Sequence, residues 1–129
     1  MREIKFRGYG KDVTGEHWIY GNLLDEKLIG LVAIQDEKCH VWEVDPESVG
    51  QFTGLRDSDR REIYEGDIVK IKDLIEDTPF GVVTMHNDSA RFIVLDSRRG
   101  CLVAPLTVAN SFIIIGNVHD NPELLEKQP

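Results

Sequence analysis

The sequence predicts a mainly β protein: a small, barrel-containing domain of short antiparallel strands with one or two short helical turns. Three observations carry this. Short apolar or alternating runs recur along the chain, separated by turns rich in Gly, Asp, Asn and Ser. These runs are rich in β-branched and aromatic residues, which suit a pleated surface. Helix-start chemistry is confined to Asp45-Pro46-Glu47-Ser48 and Asn121-Pro122-Glu123-Leu124.

Taken in order, Ile4-Lys5-Phe6-Arg7 alternates apolar and charged residues, as a half-buried strand does. Gly8, Gly10 and Thr14-Gly15 predict a loop. Trp18 to Leu24 predicts a second strand, Asp25-Glu26-Lys27 a polar turn, and Leu28 to Ile34 a third strand with a bulge at Gly30. Asp36-Glu37-Lys38 is a turn before a short strand over Cys39 to Val44. Asp45 then caps a single helical turn that Gly50 stops. Gln51 to Leu55 and Arg61 to Tyr64 flank a polar hairpin loop.

Glu65-Gly66-Asp67 leads into a strand over Ile68 to Lys72, followed by a loop through Leu74 to Thr78 that has room for a short helical turn. Phe80 to His86 and Arg91 to Leu95 predict a hairpin around Asn87-Asp88-Ser89. Arg98-Arg99-Gly100 is a turn, and Cys101 to Val103 is a brief strand ended by Pro105. Ser111 to Val118 is apolar on both faces, which predicts a central strand and not an edge. A short helix follows from Asn121. The expected core is Phe6, Trp18, Leu23, Val32, Val41, Phe52, Ile63, Val69, Ile71, Val83, Phe92, Val94, Phe112, Ile114 and Val118.

Residues 1–129 suit one domain, and a chain of this length buries roughly two-thirds of its unfolded surface without help from a disulfide or metal. Hydrophobic residues make up 41% and charged residues 29%, an ordinary soluble balance. No apolar run approaches the roughly 20 residues of a membrane span, and the N-terminus lacks the apolar region of a secretory signal. A cytoplasmic protein without membrane contact is expected. The net charge of −8 is spread along the chain and weighs against general binding to phosphate backbones. Cys39 and Cys101 read as reduced, strand-borne thiols.

Several separated blocks resemble one known family. Val49-Gly50-Gln51-Phe52-Thr53-Gly54-Leu55, Glu62-Ile63-Tyr64-Glu65-Gly66-Asp67-Ile68-Val69 and Ile115-Gly116-Asn117-Val118-His119-Asp120-Asn121-Pro122-Glu123-Leu124 are similar to signatures of the YopX-like proteins. Ile4-Lys5-Phe6-Arg7 and Gly81-Val82-Val83 fit the same order. The resemblance spans nearly the whole chain. It implies a β-rich, barrel-containing fold and a bacteriophage or prophage setting, and it brings no established activity. Such proteins often carry an Asn-Gly turn before the Glu-Ile-Tyr-Glu-Gly-Asp block, where this chain has Asp59-Arg60. Arg tolerates a left-handed backbone less well than Gly, so a differently shaped loop tip is expected.

No catalytic constellation emerges from the residues. Glu65 and Asp67 read as turn chemistry, with Asp67 bonding local backbone N–H groups. His17, His40, His86 and His119 fit no metal spacing, and Cys39-His40 as strand neighbours would point to opposite faces. Asp57-Ser58-Asp59 begins like a calcium loop, but Arg60 and Arg61 break the pattern. The serines lack a nucleophile-elbow context. No catalytic, metal-ligating or cofactor-binding residue is assigned, and no cofactor is expected.

Two groups of side chains are candidates for binding. Arg56, Arg60 and Arg61 in one loop, with Arg98 and Arg99 in another, offer forks for phosphate or carboxylate, although Asp57, Asp59, Glu62 and Asp96 are interleaved. Trp18, Tyr20 and Trp42 could line a recognition surface, against the stronger tendency of strand aromatics to join a core. The leading expectation is a non-enzymatic accessory protein acting on another macromolecule, a protein in the first instance. The alternatives are a nucleic-acid-binding barrel that uses the Arg face, or an acidic mimic of nucleic acid. Exposed sheet edges leave self-association open.

Overall fold

The computed structural model of the chain describes residues 3–12, 15–26, 31–71, 81–86, 91–96 and 101–126. The chain divides into two compact units, Met1–Phe52 and Thr53–Pro129. Both are built from antiparallel strands.

The first unit contains β1 (Phe6–Asp12), β2 (Gly15–Glu26), β3 (Leu31–Gln35) and β4 (Val41–Glu43). The long strand β2 serves two partners. Its residues from Gly15 to Gly21 pair with β1, and those from Asn22 to Glu26 pair with β3. The changeover falls at Gly21, where a Cβ would run into the Gln35 carbonyl oxygen, so only glycine lets the two strands meet there. β3 continues into β4 with Gln35 opposite Val41. A 3-10 turn at Pro46–Ser48 follows, capped as expected by Asp45, whose carboxylate accepts the Glu47 N–H at 3.1 Å. The first residues of β5 (Gly50–Arg56) then pair with β1.

The core of this unit is Ile19, Ile34 and Val44, with Phe6, Leu23, Val32, Trp42 and Val49 packed against it. Gly8 and Gly10 lie inside β1 and do not form the expected loop. Their missing side chains make room for Val44: a Cβ on Gly8 would sit 2.8 Å from Val44 Cγ2. Burying a Val side chain contributes about 1.5–3 kcal/mol. The strands form open sheets and not the closed barrel expected from the sequence. Val44 makes one isolated bridge to Gly10, and β4 is too short to extend it into a ladder.

The second unit takes the remainder of β5, its hairpin partner β6 (Glu62–Tyr64), and a five-stranded sheet. That sheet comprises β7 (Asp67–Ile71), β8 (Gly81–His86), β9 (Arg91–Asp96), β10 (Cys101–Pro105) and β11 (Phe112–Asn117), in the order β10-β9-β8-β7-β11. Its core is Ile63, Val69, Val83, Phe92, Val94, Ala109 and Phe112. β10 runs through Pro105 because it is an edge strand, where a missing N–H costs no ladder bond. A six-residue 3-10 stretch, Leu106–Ser111, carried no sequence signal. The terminal helix is the single turn α1 (Glu123–Glu126).

β11 is an edge strand and not the expected central one. Its apolar character survives because the turn after β5 covers its free side. Ser58 N–H donates to the Phe112 carbonyl at 2.8 Å, Ile114 N–H donates to Asp57 Oδ2 at 3.0 Å, and Arg61 Nη2 donates to the Ile114 carbonyl at 2.6 Å. Backbone groups that a bare edge would offer to another chain are thereby satisfied. In the expected core, Val41 and Val118 are instead 57% and 37% exposed, while Ile19, Ile34, Val44, Ile68 and Ile93 are buried.

Candidate functional site

The turns that join β3 to β4 and β5 to β6 share one design. In the first, Asp36 Oδ1 accepts the Lys38 and His40 N–H groups, each at 2.9 Å, and Cys39 is left-handed at φ 68°. In the second, Asp57 Oδ1 accepts the Asp59 and Arg61 N–H groups, each at 2.9 Å, and Arg60 is left-handed at φ 66°. Asp59-Arg60 therefore does not prevent a left-handed tip. The aspartate side chain holds the backbone in place of a glycine's freedom. Cys39 is an exposed turn residue and not the expected strand residue.

The first of these turns walls an open groove of about 700 Å³ in the first unit. Lining residues come from the segment Glu3-Ile4-Lys5, from β2 between His17 and Asn22, from Gln35 to Lys38, and from Trp42. Trp42 is fixed on several sides. Its Nε1 donates to Asp36 Oδ2 at 2.9 Å, and the imidazoles of His17 and His40 meet its ring edge to face, with centroids 6.0 and 6.2 Å away. The Trp42 N–H is the main cause that holds the Asp36 carboxyl below the usual aspartate range. Partial burial opposes it, and the His40 and Lys38 amides and the His40 imidazole add to it. Asp36 is therefore a fixed carboxylate beside an indole.

Trp18 is half-buried beneath Arg7, whose guanidinium lies 4.7 Å from the ring centroid, and Tyr9 packs edge-on at 5.3 Å. Tyr20 is 48% exposed and Ile4 66%. Lys5 is engaged with Glu3 at 3.2 Å and lies over the Phe52 ring at 5.1 Å. The groove therefore brings together the three aromatics marked by the sequence, Trp18, Tyr20 and Trp42. Sequence reasoning missed Asp36, His17 and Lys5 as groove residues, because the hairpin turn and the strand pairing bring Asp36 and His17 beside Trp42 and only the fold puts Lys5 in the same lining. The signal within reach was an Asp opening a polar turn.

The arginines are placed differently. Arg56, Arg60 and Arg61 share the turn after β5, but two of them hold it together. Arg56 bonds the Arg60 carbonyl at 3.1 Å and pairs with Glu62 at 3.4 Å. Arg61 pairs with buried Asp57 at 3.2 Å and reaches the Ile114 carbonyl. Burial works to raise the Asp57 carboxyl, yet the Ile114, Arg61 and Asp59 amides and the Arg61 guanidinium overcome it and hold it below the usual range. Arg60 is exposed at the tip. Arg98 and Arg99 lie outside the described residues.

The remaining distinctive residues serve the backbone. Thr53 Oγ1 donates to the Ile63 carbonyl at 2.8 Å and accepts the Leu55 N–H at 3.2 Å. Asp67 Oδ2 accepts the Tyr64 N–H at 2.7 Å. Gly66 donates to the Val83 carbonyl and accepts from Val118 N–H. Asn117 Oδ1 accepts the His119 and Asp120 N–H groups, while Asn121 Oδ1 accepts the Asn117 N–H. The YopX protein family matches the chain over residues 5–126. The chain belongs to the YopX family. No curated protein matches it. The blocks that carried the resemblance thus include residues that fix turns and strand ends in this fold.

Among the described residues, no group of three or more His, Cys, Asp or Glu side chains is arranged to hold a metal ion. Among them too, no helix is long and apolar enough to cross a membrane. The groove of this YopX protein presents aromatic surface, a fixed carboxylate, amide side chains and charges of both signs.

Proposed function

We propose that this YopX protein is a non-catalytic accessory protein of a bacteriophage or prophage, and that it acts by binding another protein through the groove of its first unit. The observation that carries the reading is the exposure of Tyr20 and Ile4 on a groove also lined by Trp18 and Trp42. Aromatic side chains bury large area with few rotors to freeze, which makes them favoured anchors in protein interfaces. The flanking charges suit a polar rim.

The test is capture from an extract of the producing cell with the full-length chain immobilised, with and without nuclease. A partner protein should be retained after nuclease, be lost with Trp42→Ala or Tyr20→Ala, and be kept with Arg60→Ala. Retention of nucleic acid that is lost with Arg60→Ala and falls steeply with salt would replace this reading with binding at the arginine turn. Turnover of a small molecule abolished by one groove substitution would overturn the non-catalytic reading.

A further inference from the structure

Resting on that reading, we infer that the groove takes a basic segment of its partner, with an arginine side chain seated at the corner formed by Trp42, Asp36 and Glu37. The charge pattern points this way. Asp36 is held as a carboxylate by hydrogen bonds from the Trp42 indole and the Lys38 and His40 amides, with the His40 imidazole 3.9 Å from its Oδ2. Glu37 is exposed on the same turn. Of the two lysines in the lining, Lys5 already pairs with Glu3 and covers Phe52. The other, Lys38, is an opposing charge exposed on the turn, and the His40 imidazole beside Asp36 adds a second when protonated.

An incoming guanidinium gains twice from this corner, once from the carboxylates and once from an indole. The first unit already makes a contact of the second kind, since the Arg7 guanidinium lies 4.7 Å from the Trp18 ring centroid. A lysine ammonium would use the same charges but lacks the planar fork that stacks on rings. An acidic or phosphorylated segment would meet Asp36 and Glu37 with like charge.

The probe is a blocked pentapeptide of alternating glycine and arginine, compared with the same peptide carrying citrulline, which keeps the shape and removes the charge. Binding to the full-length chain is read by titration calorimetry and by chemical shifts of the Trp42 indole N–H. The arginine peptide should bind and move the Trp42 resonance, and the citrulline peptide should bind at least about tenfold more weakly. Glu37→Lys should weaken binding roughly fivefold and Lys38→Glu should strengthen it by a similar factor. Glu123→Lys, which changes net charge equally on an exposed residue outside the groove, should leave it unchanged.

Both turn substitutions lie on exposed side chains, so the outcome does not depend on Trp42→Ala folding. Equal binding of the two peptides, equal effects of Glu37→Lys and Glu123→Lys, or an unmoved Trp42 resonance would overturn the inference. If capture of a partner still depends on Trp42 and Tyr20 while the arginine peptide fails, the binding reading stands and only the ligand chemistry falls.

Discussion

Asp36 and Asp57 hold equivalent places in two hairpin turns. Each accepts, through Oδ1, the backbone N–H groups two and four residues ahead, and each is followed at the third position by a left-handed residue that is not glycine. They differ in what Oδ2 reaches. Asp36 takes the Trp42 indole beside the groove, and Asp57 takes Ile114 N–H on an edge strand. One turn design thus supports a candidate binding surface in the first unit and closes a sheet edge in the second.

Removing the Asp57 carboxylate should be costly. Asp57→Ala leaves the Ile114, Asp59 and Arg61 donors without their acceptor and uncovers the edge of β11. A loss of about 2–4 kcal/mol is expected in urea unfolding, with aggregation increased by the freed edge. A loss within the range of ordinary surface substitutions would show that the turn does not hold β11.

Acid should act through the same residue. Unfolded aspartates titrate near about 3.9, and the Asp57 carboxyl titrates lower in the folded protein. Its contribution is therefore complete above the unfolded value and is lost as pH falls through the folded one. In urea midpoints followed from neutral pH down to about pH 2, the wild type should converge on Asp57→Asn. Parallel curves would mean that Asp57 is not the group responsible.

The left-handed residues predict stabilising changes. A Cβ in this conformation costs about 1–2 kcal/mol, against about 0.5–1 kcal/mol for the extra freedom of glycine when unfolded. Arg60→Gly and Cys39→Gly should each raise stability by up to about 1 kcal/mol, and Arg60→Val should lower it. Thermal melts of the three variants decide the matter.

Gly21→Ala should be destabilising by about 1–3 kcal/mol, since its Cβ would run into the Gln35 backbone and force β2 away from β3. Groove residues on both sides would move with the strands. Amide chemical shifts from His17 to Asn22 and from Gln35 to Lys38 should change together, whereas a change confined to Gly21 itself would argue against the close approach.

Trp42→Phe keeps an aromatic ring and removes the indole N–H. The Asp36 carboxyl should then titrate higher, closer to an ordinary aspartate, because its largest stabilising donor is gone. Carbon-detected NMR titration of Asp36 measures this directly. An unmoved or lower titration would show that the backbone amides alone hold it ionised.

The sequence alone determined the β class, the run of hairpins, the Asp45 cap and the turn role of Asp67, because each of these is written in neighbouring residues whose chemistry acts over a few positions. Its signature blocks also led to the family. Tertiary structure alone decided that β11 lies at an edge, since the cover for its free side comes from Asp57 and Arg61, more than fifty positions earlier. It decided that Gly8 and Gly10 belong to a strand, because Val44 fills the space they leave. It decided, finally, that Trp42 stands beside Asp36 and His17 on a groove and is not sealed in a core. Alternation along a strand says that a side chain faces one way or the other, and only the pairing of strands says what lies opposite.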